Sequence, residues 1–348
     1  MRQAPSVVHM TVTSPAHAVP ATIRGLVQRT SAGPDDLELV EDLPTPVPGP
    51  GEYLVKVGAA GLNFADVMQT YGTYAGGPTP EYVAGFEAAG EIVAVGPDVT
   101  DPLPVGSHVI GVGPGAFAQY MVMPAVAVAP VPQGWSDAAS LGLVLNWATA
   151  LAAIKPLGGL GEGDWVLVHA AAGGVGQAAI RLAKHYGAHV VALASSHKHD
   201  AIAGLGADVV LDRSRDDLAE EILRVTGGGV DLVLESIGKT TFELSLGVAK
   251  PFQGRLVVFG AASGDASVDT HQLVFEHRVQ VQGLHIGAFA ELVPDRYAEL
   301  VAELDRLIEV GVLVPGTPTV HALTDGVAAV HQLASGTSVG KLAIDPWA

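Results

Sequence analysis

From about residue 147 onward, apolar residues come in short unbroken runs: "WVLVHA", "HVVALA", "DVVLD", "VDLVLES" and "RLVVFGA". Between them lie stretches with helical spacing, such as "GQAAIRLAKHYG" and "DDLAEEILRVTG". Continuous Val/Leu runs that alternate with helices predict a parallel sheet covered on both faces. The unit recurs about every 20 to 25 residues, the rhythm of a doubly wound domain. Upstream, residues 22 to about 132 read differently. There "ATIRGLVQRT", "EYLVKVGAAGLN", "AAGEIVAVG", "SHVIGVG" and "AFAQYMVMP" are separated by Gly- and Pro-rich turns such as "PTPVPGPGE", which predicts a small barrel or sandwich. The tail, from roughly 290, holds an amphipathic helix, "DRYAELVAELDRLIEVG", and a last strand, "KLAIDP". The predicted organisation is α/β. A β-rich domain covers 22–146, a doubly wound parallel-sheet domain covers 147–290, and a return segment, 291–348, completes the first.

Composition narrows the class. At 348 residues the chain exceeds what one core usually supports, in agreement with two domains. With 36 acidic residues against 18 basic ones, the net charge of -18 argues against nucleic acid and anionic membrane as partners. The absence of cysteine excludes disulfides and thiolate metal sites and gives no sign of an oxidising compartment. The apolar runs are broken by Gly and Pro and fall short of the roughly 18 charge-free residues of a membrane span. The first 22 residues lack a basic stretch followed by an apolar one, so no secretory signal is expected there. They read as a tail, with Met10 an alternative start, and the expected setting is cytoplasmic. The thirteen histidines are scattered, and the nearest pair, His197 and His199, falls in an expected loop and reads as solvated.

Candidate chemistry begins at "HAAAGGVGQAAI", residues 169–180, which follows a strand and opens a helix. In a dinucleotide loop one position turns tightly, a second lets the backbone approach the pyrophosphate, and a third lets helix and strand pack closely. Ala171, Gly173 and Gly176 take these positions. Gly174 and Val175 offer N–H groups at the helix N-terminus, where the macrodipole favours an anion. About 20 residues further on, an NAD site would place Asp or Glu on the ribose 2′-hydroxyl. "SSHK" stands there instead. Ser195 can donate to a 2′-phosphate and Lys198 can neutralise it, with Arg213 as a second cation. The expected cofactor is NADPH.

The segments "GLNFADVMQTYGTY", "AGFEAAGEIVAVG", "HAAAGGVGQAAIRLAKHYGA", "LGADVVLD", "GRLVVFGAASG" and "GKLAIDP" together resemble the zinc-free quinone oxidoreductase branch of the medium-chain dehydrogenase/reductase superfamily. The resemblance covers nearly all of residues 22–345. It implies a GroES-like catalytic domain, a Rossmann domain and an active site in the cleft between them. Zinc-dependent relatives carry a ligating cysteine where this chain has Asn63 and a ligating histidine where it has Phe86. A lone Glu87 does not make a zinc site, so no metal is expected.

Without a Lewis acid, hydride addition suits conjugated acceptors, quinones and α,β-unsaturated carbonyls. By resemblance Asn63, Asp66 and Tyr74 line the nicotinamide cleft. Asn63 would hydrogen-bond substrate or cofactor ribose, and Asp66 would orient neighbours. The spacing Asn-x-x-Asp, Gly at +9 and Tyr at +11 also resembles enoyl-thioester reductases, in which that tyrosine, here Tyr74, donates a proton. Each residue has a plainer reading: Asn63 as a turn cap, Asp66 as structural, Tyr74 as packing. Met68 stands where some quinone reductases carry a tyrosine. Thr149, Ile237 and the stretch Phe259, Gly260, Ala261 match positions that line the nicotinamide. The alternatives are an enoyl-thioester reductase, for which this acidic chain shows no basic entrance, and an NADPH-binding protein with an accessory role. A homodimer is expected through "HRVQVQGLHIGAF", residues 277–289, an apolar edge strand that needs covering.

Overall fold

A computed structural model describes residues 19–348; the N-terminal tail with Met10 lies outside the described residues. The fold is α/β, with a β-rich domain and a parallel-sheet domain. The first eight strands are β1 (Thr22–Gln28), β2 (Leu37–Pro44), β3 (Glu52–Leu62), β4 (Tyr82–Val83), β5 (Glu87–Val95), β6 (His108–Val112), β7 (Tyr120–Pro124) and β8 (Val128–Pro130). β1, β2 and β4 form a three-stranded sheet of order β2-β1-β4, while two later strands, β15 (Thr319–Ala322) and β16 (Leu342–Asp345), join β3, β5, β6, β7 and β8 in a seven-stranded sheet of order β15-β16-β3-β5-β6-β8, with β7 also on β3. The long β3 organises this domain. Its first half pairs with β7 and its last residues, Ala60–Leu62, pair with β16. Val55, Val57, Ile92, Met121, Leu342 and Ile344 meet beneath it as one core.

The second domain holds β9 (Trp165–Val168), β10 (His189–Ala194), β11 (Val209–Asp212), β12 (Leu232–Glu235), β13 (Arg255–Val258) and β14 (Gln280–Gly283). All pair in parallel, in the order β11-β10-β9-β12-β13-β14. The inner strands carry apolar residues at successive positions because helices cover both faces; Val166, Leu167, Val190, Val191, Leu232 and Val233 are fully buried. The strand order reverses between β9 and β12. In open α/β sheets ligands bind at such a reversal, beyond the carboxyl ends of the strands. The edge strand β14 exposes Val281, while Leu284 just beyond it is buried.

Two expectations need correction. The amphipathic helix Pro294–Glu309 was expected to open the return segment. It instead buries Leu300, Leu304 and Leu307 in the core that holds Val166 and Leu232, against the helix Ala148–Ala152. Its apolar stripe faces the nucleotide-domain core, so the return to the first domain comes only after it, at β15. Among the described residues, one helical stretch, Asp137–Leu157, is long and apolar enough to cross a membrane. The structure buries 67% of its most apolar window. It is a core helix wedged between the domains, and its wide turns at Leu143–Trp147 and Ala153–Leu157 flank the residues that face the cleft.

Candidate active site

A cleft of about 1070 Å³ runs between the domains at the β9/β12 reversal. At its outer end the turn after β9 leads into the helix Gly174–His185, with Gly173 as the residue before it. Gly174, Val175 and Gly176 open that helix, so their N–H groups have no partner within it. A Cβ on Gly176 would stand 2.4 Å from the Ala170 carbonyl oxygen and 2.7 Å from Ala171 Cα. Only glycine lets the helix close onto the turn, the packing role expected of it. The tight turn itself is not where the pattern put it. Ala171 is fully buried with its N–H on the Leu193 carbonyl at 3.0 Å, and the left-handed residue is Ala170, φ 47°. The chain therefore reverses one residue earlier, because Ala171 is tied to β10.

Beyond the end of β10, Arg213 Nε donates to Ser195 Oγ at 3.0 Å. Lys198 Nζ donates to the carbonyls of Gly336 at 2.5 Å and Ser338 at 2.7 Å. Lys198 thus also ties the return segment to the nucleotide domain, a duty the pattern did not show. Burial, and then the Arg213 charge, hold its pKa below the usual lysine range. Neither cation has a carboxylate partner among the described residues, whereas neighbouring Arg215 is bound by Asp217 at 2.7 Å. Two like charges left uncompensated beside a serine hydroxyl are suited to a 2′-phosphate. Glycine cradle and cation pair together fit NADPH.

The inner end is lined by Thr149, Ile237, Phe259, Gly260 and Ala261, with Asn63 and Tyr74 opposite from the β-rich domain. The loop after β12 is held from beneath by a buried network. Glu235 Oε1 accepts from the N–H groups of Ile237 at 2.8 Å and Gly238 at 3.1 Å, and Glu235 Oε2 accepts from Ser245 Oγ at 2.5 Å. His169 Nε2 lies 2.9 Å from the same hydroxyl. Burial lowers the pKa of His169, with Glu235 opposing it, so the ring is held neutral.

Asn63 is not the free donor expected of it. Its Nδ2 donates to Glu87 Oε2 at 2.8 Å and lies 3.4 Å from the Gly61 carbonyl; its Oδ1 accepts from Lys341 Nζ at 2.7 Å and Asn146 Nδ2 at 3.2 Å. Lys341 Nζ also contacts Glu87 Oε2 at 2.5 Å and Asn146 Oδ1 at 3.1 Å. The other Glu87 oxygen accepts from the Gly142 N–H at 2.6 Å. The carboxylate left over from a zinc-type pattern is satisfied by a lysine ammonium, and a divalent cation would have to displace it. Gly61 makes room, since a Cβ there would lie 2.6 Å from Glu87 Oε2 and 2.8 Å from Lys341 Cε.

Asp66 Oδ2 accepts from the Asn63 N–H at 2.7 Å at the start of the helix Phe64–Thr70. Its other oxygen is buried without a partner. Burial pushes its pKa up to about 7, against the opposing pull of the Asn63 N–H and Lys341. Tyr74 stands at the cleft mouth, half-buried, its hydroxyl 3.0 Å from His285 Nε2. Burial, and then the Asp66 charge, raise its pKa and hold it as a phenol.

Sequence reasoning passed over Asn146, Lys341 and His285. Lys341 is a lone cation before an apolar strand; only the antiparallel pairing of Leu342 with Leu62 brings it beside Asn63.

Comparison with known proteins supplies the lineage. The alcohol dehydrogenase GroES-like domain family matches residues 49–133, and the zinc-binding dehydrogenase family matches 174–306. Mouse prostaglandin reductase-3 is 32% identical over 353 residues, spanning 94% of this chain and 90% of that protein. The chain belongs to the medium-chain dehydrogenase/reductase superfamily. Within it the chain falls in the zinc-free quinone oxidoreductase branch. The Escherichia coli quinone oxidoreductase structure, solved with NADPH, superposes with TM-score 0.85 at 28% identity, covering 93% of this chain and all of that one. The pikromycin polyketide synthase component PikAII of Streptomyces venezuelae is 36% identical over 310 residues, 86% of this chain. The chain spans only 8% of that synthase's length. The chain keeps the superfamily's two domains, and the positions expected to carry zinc ligands hold Asn63 and Phe86.

Proposed function

We propose that this oxidoreductase is an NADPH-dependent, metal-independent reductase of α,β-unsaturated carbonyls and quinones. One observation carries the reading. A single groove joins a glycine cradle, two cations without carboxylate partners among the described residues and a phenol hydroxyl, while Asn63, at one zinc position, and the neighbouring Glu87 are bound to Lys341.

NADPH bound in the groove supplies a hydride. Gly174, Val175 and Gly176 would hold its pyrophosphate, Ser195, Lys198 and Arg213 its 2′-phosphate, and Thr149, Ile237 and Phe259–Ala261 its nicotinamide. Leu62, Met68, Phe86 and Leu284 give the inner groove apolar walls that exclude water from the reacting carbon. Tyr74 offers the O–H available for protonating the product. In a conjugated acceptor the negative charge delocalises onto a distant oxygen, so no metal is needed to polarise the carbonyl.

NADPH oxidation followed by absorbance tests this with 9,10-phenanthrenequinone, an acyclic enone and crotonyl-CoA. Turnover with the quinone or the enone, retained after exhaustive dialysis against a chelator, is expected. No oxidation with any acceptor would leave an accessory NADPH-binding role. Tyr74 and the polyketide synthase match favour a second reading, an enoyl-thioester reductase, which turnover confined to crotonyl-CoA would select. The exposed edge β14 fits a homodimer with one continuous sheet, and a monomeric mass by light scattering at micromolar concentration would remove that part of the reading.

A further inference from the structure

Tyr74 and His285 face each other across the cleft from different domains. The Tyr74 hydroxyl is 3.0 Å from His285 Nε2, and the ring centroids are 6.3 Å apart. The other ring nitrogen has its own task. His285 Nδ1 accepts from the Ala288 N–H at 3.1 Å and caps the helix Ile286–Leu292. A ring nitrogen that accepts from a backbone N–H carries no proton. The neutral imidazole therefore bears its proton on Nε2, and Nε2–H donates to the tyrosine oxygen. A phenol has one proton and two lone pairs. Once a lone pair is occupied by His285, the remaining proton has no other protein acceptor among the described residues, and the oxygen sits on the wall of the cleft.

We infer that His285 is a positioning residue, which through its helix-capping tautomer fixes Tyr74 as a proton donor toward the substrate. This deepens the function proposed above and selects within it the acyclic enones and enoyl esters or thioesters. Hydride addition at the β-carbon of such a substrate leaves an enolate. The α-carbon then forms a C–H bond with the Tyr74 proton as the O–H bond breaks. The resulting tyrosinate accepts from His285 Nε2–H and recovers a proton from water at the cleft mouth. A reduced quinone is an oxygen anion that takes its proton from water directly. The contribution of His285 therefore belongs to the enone and not to the quinone.

The test pairs kinetics with a direct view of the ring. The ¹³Cδ2 NMR shift of His285 in the free protein should report the Nε2–H tautomer. His285→Asn keeps an acceptor for the Ala288 N–H but is too short to reach Tyr74. It should lower kcat on an acyclic enone about fivefold, the effect of one lost hydrogen bond, with KM and quinone turnover unchanged. His285→Gln, which restores a terminal N–H, should recover most of the loss. Adding His285→Asn to Tyr74→Phe should cost nothing further. An Nδ1–H tautomer with turnover intact overturns this inference alone, as does an equal loss on both substrates. A wild type that reduces neither substrate overturns the proposed function and this inference together.

Discussion

At the outer end of the cleft, three backbone N–H groups at a helix start stand with two cations and a serine. At the inner end, side chains hold one another, with Asn63 and Lys341 in contact although 278 residues apart. At the outer end Arg213 is exposed, so its contacts contribute modestly and separately, while Lys198 is buried against two carbonyls. The inner end is buried, and Glu87, fully enclosed, depends on its partners. Removing one member of a buried charge pair leaves the other unpaired in low dielectric, the dearer error.

Lys341→Met probes that difference most severely. It should lower stability by about 3–5 kcal/mol, read as a falling denaturant midpoint at unchanged slope. Glu87→Gln combined with Lys341→Met should restore more than half of it. Equal losses in the single and double variants would show that packing, not charge, holds the inner end.

Asp66 sharpens the same contrast through pH. Its folded pKa, about 7, lies above the model-peptide value of 3.8. The fold therefore favours the protonated form. The associated stability is fully present below pH 4 and is lost as the pH rises toward 7, on the order of 4 kcal/mol in all. Asp66→Asn keeps an acceptor for the Asn63 N–H and removes the charge. Its melting temperature should exceed that of the wild type at pH 8, and the gap should narrow at pH 5 and close below pH 4. A gap that stays constant with pH would refute the assignment.

The outer end should respond more gently. Arg213→Ala should raise KM for NADPH by an amount equivalent to about 1.5–3 kcal/mol while leaving KM for NADH and the melting temperature unchanged. Lys198→Ala should also lower the melting temperature, because Lys198 holds the Gly336 and Ser338 carbonyls. Equal NADPH and NADH use by the wild type would undo the phosphate reading. The smallest effect is at the turn. Ala170→Gly relieves a left-handed alanine and should change stability by no more than about 1 kcal/mol, visible as a small rise in melting temperature.

The sequence by itself determined the two-domain α/β order, because unbroken Val/Leu runs and Gly/Pro-punctuated short strands are local patterns. It also located the glycine cradle and the cations beyond β10, since a strand, a turn and a helix start are contiguous in the chain. Asn63, Phe86 and the missing cysteines were likewise readable, because ligand chemistry depends on residue type. The tertiary structure decided the rest. The left-handed residue fell on Ala170 and not on Ala171, because a hydrogen bond from a neighbouring strand pins the latter. The helix Pro294–Glu309 showed an apolar stripe, but a stripe does not say which core it faces. Asn63 lost its freedom to Lys341 and Asn146, and Tyr74 gained His285, through strand register and domain packing. Such contacts join residues far apart in the chain, and no local pattern carries them.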